Sequence, residues 1–357
     1  MLNICMTFDY ELFFGKNNGT EKEILFQPTE KLLELLKEEK VSATFFVDVC
    51  SLIQHQKIGK TDYVVDMSNQ LKALNQNGQD LQLHIHSHWL TSEYHNGEWD
   101  FDEKSYRLHS YGFDRNVANN AFEIIEEGIS CLKKILHEVD PQYECIAYRA
   151  GGFAIQPHGE LVKALYDAGI RIDSSIAPQL MASSNTNYYQ YKHKLKYSNW
   201  WLSPETEWWC DKGEPEGALY EVPIATENKN PVTFILKRLF TPERIKLQLN
   251  AKKGTYINEG GNTQNRIAAY WNYIKGYSAL SLDAYNADFL YKQLVRYYKK
   301  NRCNEKDATI AVIGHPKLIT SEYIANLQNL IRLIREDERF RICSIKDVYD
   351  KKILEKV

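Results

Sequence analysis

The chain has 357 residues, of which 43% are hydrophobic and 25% are charged, and its formal net charge is -3. This composition is ordinary for a globular protein, and the slightly acidic balance argues against the basic surface that nucleic-acid binding requires. No long apolar segment suits a membrane span, and the N-terminus lacks the basic start and apolar core of a signal peptide. Seven scattered cysteines without a C-x-x-C pair favour reduced thiols and a cytoplasmic location.

The predicted elements alternate between strands and helices. An opening strand at 2–8 precedes an amphipathic helix that begins near Pro28, and a β-branched and aromatic strand follows at 41–47. Further helix and strand pairs are predicted at 63–74 and 80–84, at 118–136 and up to 149, and at 157–168 and 170–173. Parallel strands joined by right-handed helical crossovers close, or nearly close, into a barrel.

Two regions interrupt this alternation without the features of a separate domain. We therefore expect a single domain over 1–357 with insertions at about 183–216 and 228–281. The first contains Trp200, Trp201, Trp208 and Trp209. These either stack on sugar rings or anchor a lid on the barrel rim. The second contains Lys237, Arg238, Arg244, Lys246, Lys252 and Lys253. These either meet a phosphate on a carrier-linked sugar or form a solvated helix face.

Three histidines lie within five residues at the end of a short apolar run. Residues 80–84 alternate as a buried strand does, so His84, His86 and His88 fall where the strand passes into a loop. The spacing of His84 and His88 lets two imidazoles converge on one cation if the chain turns. His86 can replace either, but we expect it to matter less, because it falls on the opposite side of an extended chain from its immediate neighbours. A single histidine is more often structural, but three together favour a metal site.

Two carboxylates follow the opening strand. Asp9 and Glu11 are two residues apart, so both side chains point to the same side of an extended chain. One can bind a metal while the other accepts a proton from water, and two imidazoles, a carboxylate and an open position form a hydrolytic zinc site. The alternative is an ordinary solvated pair of acids at a strand end.

Seven segments, taken in chain order, resemble the motifs of one enzyme family. They are residues 7–11, 43–47, 84–88, 148–153, 172–175, 220–223 and 312–316. The ordered set spans nearly the whole chain and resembles the NodB-type polysaccharide deacetylases, carbohydrate esterase family 4. Three positions depart from the family pattern: Tyr10 is inserted between the acids, Ile85 replaces serine or threonine, and Gly151 stands where proline is usual.

The resemblance implies a distorted (β/α)7-type barrel and a divalent metal cofactor, with zinc as the first choice. It assigns Asp9 as the general base and Glu11, His84 and His88 as the metal ligands. The reverse assignment, with Asp9 as the ligand and Glu11 in support, stays open because of the inserted Tyr10.

The resemblance also assigns two residues that assist the chemistry. Arg149 would pair with Asp9 and keep that carboxylate ionised, whereas the alternative is a surface arginine. His315 would be the general acid that protonates the leaving amine, and Pro316 would fix the direction of its imidazole.

Together these observations predict a metal-dependent hydrolase that removes an N-acetyl or other N-acyl group from a sugar. A cytoplasmic step of surface polysaccharide or lipopolysaccharide assembly is the expected setting, with an N-acylated sugar or glycan as partner and no nucleic acid or membrane span. One alternative is hydrolysis of another C–N bond, such as deformylation or the opening of a small cyclic amide. The other is a sugar-binding module that has lost catalysis.

Overall fold

The structure is a computed structural model that describes residues 1–14, 19–184, 186–192, 198–205, 214–228 and 276–352. The strands in these ranges are β1 (Leu2–Tyr10), β2 (Thr44–Asp48), β3 (Asp80–Ile85), β4 (Glu93–His95), β5 (Glu98–Asp100), β6 (Ala147–Ala150), β7 (Ile172–Asp173), β8 (Met181–Ser183), β9 (Tyr188–Gln190), β10 (Trp200–Leu202), β11 (Leu219–Glu221), β12 (Thr226–Asn228), β13 (Tyr277–Ala279), β14 (Ala308–Gly314) and β15 (Phe340–Cys343). The α-helices are α1 (Gln27–Glu38), α2 (Val49–Lys57), α3 (Thr61–Gln76), α4 (Ala121–Leu136), α5 (Gly159–Asp167), α6 (Ala287–Lys300), α7 (Ser321–Arg335) and α8 (Ile345–Lys352).

One sheet holds the strands that position the site. Its order is β10-β11-β7-β6-β3-β2-β1-β14, and every pair from β11 to β14 is parallel. β15 pairs with residues 2–5 of β1, and β2 pairs with residues 7–10 of β1. β15 and β2 therefore lie one after the other along the same edge of β1. Bridges from Ile224 to Ala311 and from Ser281 to Ile313 join β14 to segments after β11, so the sheet curls back on itself. This confirms the predicted distorted (β/α)7-type barrel.

Alternate residues of the strands face two different cores. In β1, Ile4 and Phe8 belong to a large apolar cluster that also contains the buried faces of the helices. Cys5 belongs to a smaller cluster with Phe46 of β2 and Ala311 of β14. Side chains from separate strands meet inside the curl, so the smaller cluster marks its interior. Each inward-facing position is therefore followed by another one two residues later.

The helices and strands lie where the apolar pattern predicts them, with small shifts at their ends. β1, α3 and β3 match within two residues at each end, whereas β2 begins at Thr44 and not at residue 41. Helix α2 was not predicted, because it begins directly after β2 at Val49 without a turn or a side-chain cap to signal it.

Parts of both expected insertions fall outside the described residues. These parts contain Trp208, Trp209 and all six basic residues of the second insertion. Trp200 and Trp201 are described and lie in β10, at the end of the sheet. Among the described residues, no helix combines the length and apolar character needed to cross a membrane.

Candidate active site

Polar side chains from four strands of the curled sheet meet at its carboxyl-terminal end, where parallel α/β barrels keep their chemistry. Each occupies an inward-facing position at the end of its strand or within two residues after it. Asp9 and Glu11 continue the inward-facing positions of β1 that include Cys5, and His84 and His86 continue those of β3. Arg149 follows the inward-facing Ala147 by two residues in β6, and His315 follows the inward-facing Ile313 by two residues at the end of β14. The period of two therefore brings most of the predicted site residues together.

Glu11, His84 and His86 form a group that can hold a metal ion. One ligand atom from each residue lies within 4.8 Å of the other two, and all three side chains are buried. Glu11 Oε2 is 2.7 Å from His86 Nε2 and 3.2 Å from His84 Nε2. His84 Nδ1 lies 2.8 Å from the carbonyl oxygen of Arg149, to which it donates, so Nε2 is left to face Glu11.

This donor set fits a divalent cation. Two imidazoles and one carboxylate are the ligands of a catalytic zinc site that keeps a position open. Burial lowers the pKa of His84, but the carboxylates of Asp9 and Glu11 outweigh burial and raise that pKa to about 9. A bound metal ion would take the place of the proton that these carboxylates attract to His84. Burial lowers the pKa of His86, which favours the neutral imidazole that ligates metals.

His88 does not belong to this group, contrary to the spacing argument from the sequence. The chain leaves the extended conformation after β3 and forms a 3₁₀ turn over Ser87–Thr91. The His88 ring consequently packs on Phe14, with ring centroids 4.6 Å apart, and stacks on Tyr106 at 5.2 Å. Neither of its ring nitrogens has a hydrogen-bond partner among the described residues. Burial lowers its pKa well below the usual range. The structure thus brings His86 to Glu11 where the resemblance implied His88.

Gly151 provides the space that the His86 ring occupies. A Cβ atom at this position would lie 2.6 Å from the carbonyl oxygen of Ile85 and 2.8 Å from His86 Nδ1. Any larger residue, including the proline usual in the family motif, would collide with both. Glycine in place of the usual proline at position 151 is therefore what allows His86 to take this position.

We expect Gly151→Ala to displace His86 and to lower zinc affinity by roughly 10- to 100-fold, the usual cost of disturbing the support of a ligand. Gly78→Ala is the control, because Gly78 has a φ of +73° and empty space around it. That control should cost about 1 kcal/mol of stability and leave zinc binding unchanged. Equal zinc affinity in both variants, measured by calorimetric titration, would contradict the role of Gly151.

Arg149 holds Asp9 at the edge of the metal group. Its Nη1 donates to Asp9 Oδ1 at 2.6 Å, and its Nε and Nη2 donate to the carbonyl and hydroxyl oxygens of Ser174 at 2.9 and 3.0 Å. The guanidinium also lies over the ring of Phe46 at 4.0 Å. Burial raises the pKa of Asp9, but Arg149 and then His84 more than offset this, so the pKa lies below its usual value. Asp9 is thus an ionised carboxylate in a fixed orientation.

His315 faces both carboxylates from β14. Its Nε2 is 3.8 Å from Asp9 Oδ2 and 3.8 Å from Glu11 Oε1. Its backbone nitrogen donates to Asp283 Oδ1 at 3.0 Å, and its Nδ1 lies 2.6 Å from Asp283 Oδ2. Burial lowers the pKa of His315, but Asp283 and the other carboxylates raise it above the usual value overall. The imidazole therefore favours its protonated form.

Three residues of the site were missed in the sequence. Asp283 supports His315, the Lys317 ammonium lies 2.6 Å from Glu11 Oε1, and Asp48 Oδ1 accepts from the backbone nitrogen of His86 at 3.3 Å. Burial raises the pKa of Asp48 to about 7. Asp48 directly follows the predicted strand at 41–47, and Lys317 directly follows the motif segment 312–316, so the sequence did indicate that both lie near the site. Asp283 carries no such signal, because it depends on the bridge between Ser281 and Ile313.

No family model and no curated protein match the sequence. Solved structures do match. The structure of Puue allantoinase has a TM-score of 0.50 and 12% identity, covering 99% of this chain and 91% of that chain. A probable polysaccharide deacetylase from Pseudomonas aeruginosa PAO1 has a TM-score of 0.47 and 12% identity, covering 99% and 92%. A CE4 family pseudoenzyme from Bacillus anthracis has a TM-score of 0.38 and 11% identity, covering 98% and 66%.

The likeness to the allantoinase structure supports the fold class. The allantoinase structure shares the fold across nearly the full length of this chain, and polysaccharide deacetylases and CE4 family members are among the neighbours. The fold that the sequence resemblance implied is therefore confirmed, and the fold alone. Because identity is 11–12%, substrate and activity have to be argued from the site itself.

Proposed function

We propose that this protein is a metal-dependent hydrolase that removes an N-acyl group from a sugar. The observation that carries the proposal is the convergence of three units at one end of the sheet. These are the Glu11, His84 and His86 group, the Arg149–Asp9 pair and the Asp283–His315 pair. They supply, in turn, a metal site, an ionised base and a protonated acid, which hydrolysis of an amide requires.

Glu11, His84 and His86 would hold the metal ion, which when bound supplies Lewis acidity toward water and the acyl oxygen. Asp9 removes a proton from the attacking water. Arg149 keeps Asp9 ionised and directs its free Oδ2 toward His84 and His315, at 4.0 and 3.8 Å from their Nε2 atoms. The opposite roles of Asp9 and Glu11 receive less support, since Glu11 contacts both imidazoles at hydrogen-bond distance.

His315 delivers the proton that lets the amine leave. Its Nδ1–H donates to Asp283, so the Nε2–H points to the centre of the site between Asp9 and Glu11. An amine is a poor leaving group without protonation, so this proton transfer completes cleavage of the C–N bond. The products are a carboxylic acid and a free amino sugar.

We further propose that the metal is zinc and that the acyl group is acetyl. The reaction would belong to a cytoplasmic step of surface polysaccharide or lipopolysaccharide assembly. Imidazole and carboxylate ligands support zinc. The six cysteines among the described residues are free, which supports a reducing compartment. Trp200 is buried in β10 and Trp201 lies beside Tyr220 with ring centroids 5.2 Å apart, which supports a role as anchors over sugar stacking for these two tryptophans.

The proposed activity can be tested with protein purified without chelators. We expect one zinc per chain by elemental analysis and release of acetate from N-acetylated sugars. Formylated sugars and a small cyclic amide belong in the same screen, because the same residues can hydrolyse any of these C–N bonds. Asp9→Asn protein serves as the blank for contaminating hydrolases. Glycan affinity without metal and without turnover would replace the proposal with a binding function.

The Asp283–His315 pair predicts a particular pH dependence. As general acid, His315 must be protonated, so activity falls as pH rises through its raised pKa. Asp283→Asn removes the carboxylate that raises this pKa, and the alkaline limb of kcat/KM should move to lower pH. Asp62→Asn, an exposed acid in α3, is the matched control and should leave the profile unchanged. An unmoved limb in Asp283→Asn would exclude His315 as the group behind it.

A further inference from the structure

A lysine ammonium is buried against the carboxylate that faces the two histidines. Lys317 Nζ donates to Glu11 Oε1 at 2.6 Å, and only 3% of the Lys317 side chain is exposed. A buried lysine is costly to desolvate unless it is fully paired, so its presence beside a ligand carboxylate calls for a reason.

Three further contacts fix the position of this ammonium. It donates to the carbonyl oxygen of Leu12 at 3.1 Å and lies over the rings of Phe13 and Phe14, at 5.1 and 5.0 Å from their centroids. The backbone is held by the 3₁₀ turn Pro316–Leu318, directly after His315. The charge therefore cannot swing away from Glu11 without losing several contacts.

The two oxygens of Glu11 have separate partners. Oε1 accepts from Lys317, whereas Oε2 lies 2.7 and 3.2 Å from the Nε2 atoms of His86 and His84. Burial raises the pKa of Glu11, but Lys317 and then His86 outweigh it, and the pKa lies well below the usual value. The carboxylate is thus charged and oriented by the protein alone.

We propose that Lys317 is a positioning residue and an internal competitor of the metal ion: it holds Glu11 through Oε1, keeps Oε2 aimed at the imidazoles without metal, and lowers metal affinity. The proposal deepens the proposed function but needs only the metal site, not the sugar substrate. The proposal predicts a site that is assembled before the metal binds and that exchanges its metal. The alternative is a site that forms only around the bound metal.

Two opposing effects decide the sign for Lys317→Met. Losing an outer partner of a ligand usually costs about 10- to 100-fold in metal affinity. A unit positive charge and a divalent ion that share one carboxylate repel each other, and at an effective dielectric constant of about 20 this repulsion outweighs the loss of an outer partner. Repulsion is the larger effect, so removal of the lysine should raise zinc affinity by at least about tenfold.

The experiment compares zinc affinity and thermal unfolding in wild type, Lys317→Met and Lys317→Arg. Zinc chloride is the probe, titrated by calorimetry or against a chromogenic chelator. Without zinc, Lys317→Met should lower Tm by roughly 4–7 °C, because a buried carboxylate loses its partner. Added zinc should restore that loss. Lys317→Arg keeps the charge and should bind zinc as wild type does.

Lys72→Met is the matched control. Lys72 pairs with Glu138 at the same 2.6 Å, but on the surface and away from the site. Loss of an exposed pair changes stability little, so this variant should change neither zinc affinity nor the zinc-dependent gain in Tm.

Each outcome of the comparison is decisive. Tighter zinc binding by Lys317→Met, or zinc binding by this variant alone, supports the proposal. Unchanged or weaker binding, or no binding by either protein, overturns it. If Lys317→Met is insoluble, recovery in zinc-supplemented medium supports it, and failure to recover overturns it. Acetate release is scored separately, so the lysine proposal can stand when the substrate proposal fails.

Discussion

His86→Ala should remove stoichiometric zinc binding, whereas His88→Ala should retain it. His86 Nε2 lies 2.7 Å from Glu11 Oε2, inside the group of three ligand atoms, but the His88 ring is packed between Phe14 and Tyr106. Loss of a ligand should weaken zinc by more than the roughly 10- to 100-fold that loss of an outer partner costs. Elemental analysis after dialysis and a competition titration against a chelator measure both variants.

His84→Ala provides the reference for loss of a ligand, because the sequence and the geometry agree on His84. The His88 variant tests the resemblance directly. Removing this buried ring leaves a cavity and should cost about 2–5 kcal/mol of stability, so its metal content has to be measured on folded protein. If His88→Ala loses zinc and His86→Ala keeps it, the ligand set implied by the family motif is right and the one drawn from the geometry is wrong.

Asp9→Asn should retain zinc and lose roughly 10²–10⁴-fold in turnover, the usual contribution of a general base. The amide is nearly isosteric and can still accept from Arg149, but it cannot take a proton from water. Steady-state kinetics on the released acid, with zinc content measured on the same preparation, separates these effects. Because Arg149 would then face a neutral partner in a buried setting, stability should also fall, by up to about 3–5 kcal/mol.

Glu11→Gln is the counterpart of Asp9→Asn. Glu11 contacts both imidazoles, so its amide should weaken zinc binding before it affects the proton transfer. If Asp9→Asn loses the metal and Glu11→Gln keeps it, the two carboxylates exchange their roles. The test is needed because Tyr10 is inserted between the two acids. The Tyr10 side chain itself points away from the site, and its hydroxyl donates to Gln70 at 2.7 Å.

The alternation of apolar residues predicted most of the fold and much of the site. β1 and β3 were predicted from short apolar runs, and the acids and histidines that follow these runs do meet. The side-chain period of a strand continues past the last apolar residue, so Asp9 and Glu11 share one direction. The same rule places His84 and His86 on one side. In a fully extended chain His88 would share that side as well, but the 3₁₀ turn over Ser87–Thr91 takes its ring away from Glu11, and no sequence pattern indicated this turn.

Other contacts of the site were beyond local sequence patterns. Asp283 reaches His315 because the segment after β13 bridges to β14, a pairing of residues about thirty positions apart. Lys317 reaches Glu11 through a short 3₁₀ turn, whose direction depends on the packing of Pro316 and on the aromatic rings below it. Such contacts depend on tertiary packing, which neither propensity nor periodicity encodes.

The order of the strands has a consequence for biosynthesis. β14 pairs with one edge of β1, and β15 shares the other edge with β2, but both β14 and β15 lie about 300 residues after β1 in the chain. At about 5–20 residues per second, β1 waits roughly 15–60 s with one edge entirely unpaired. An apolar strand exposed for that time is a target for chaperones and for aggregation. Asp9 and Glu11 can therefore meet His315 only after these roughly 300 further residues have been made.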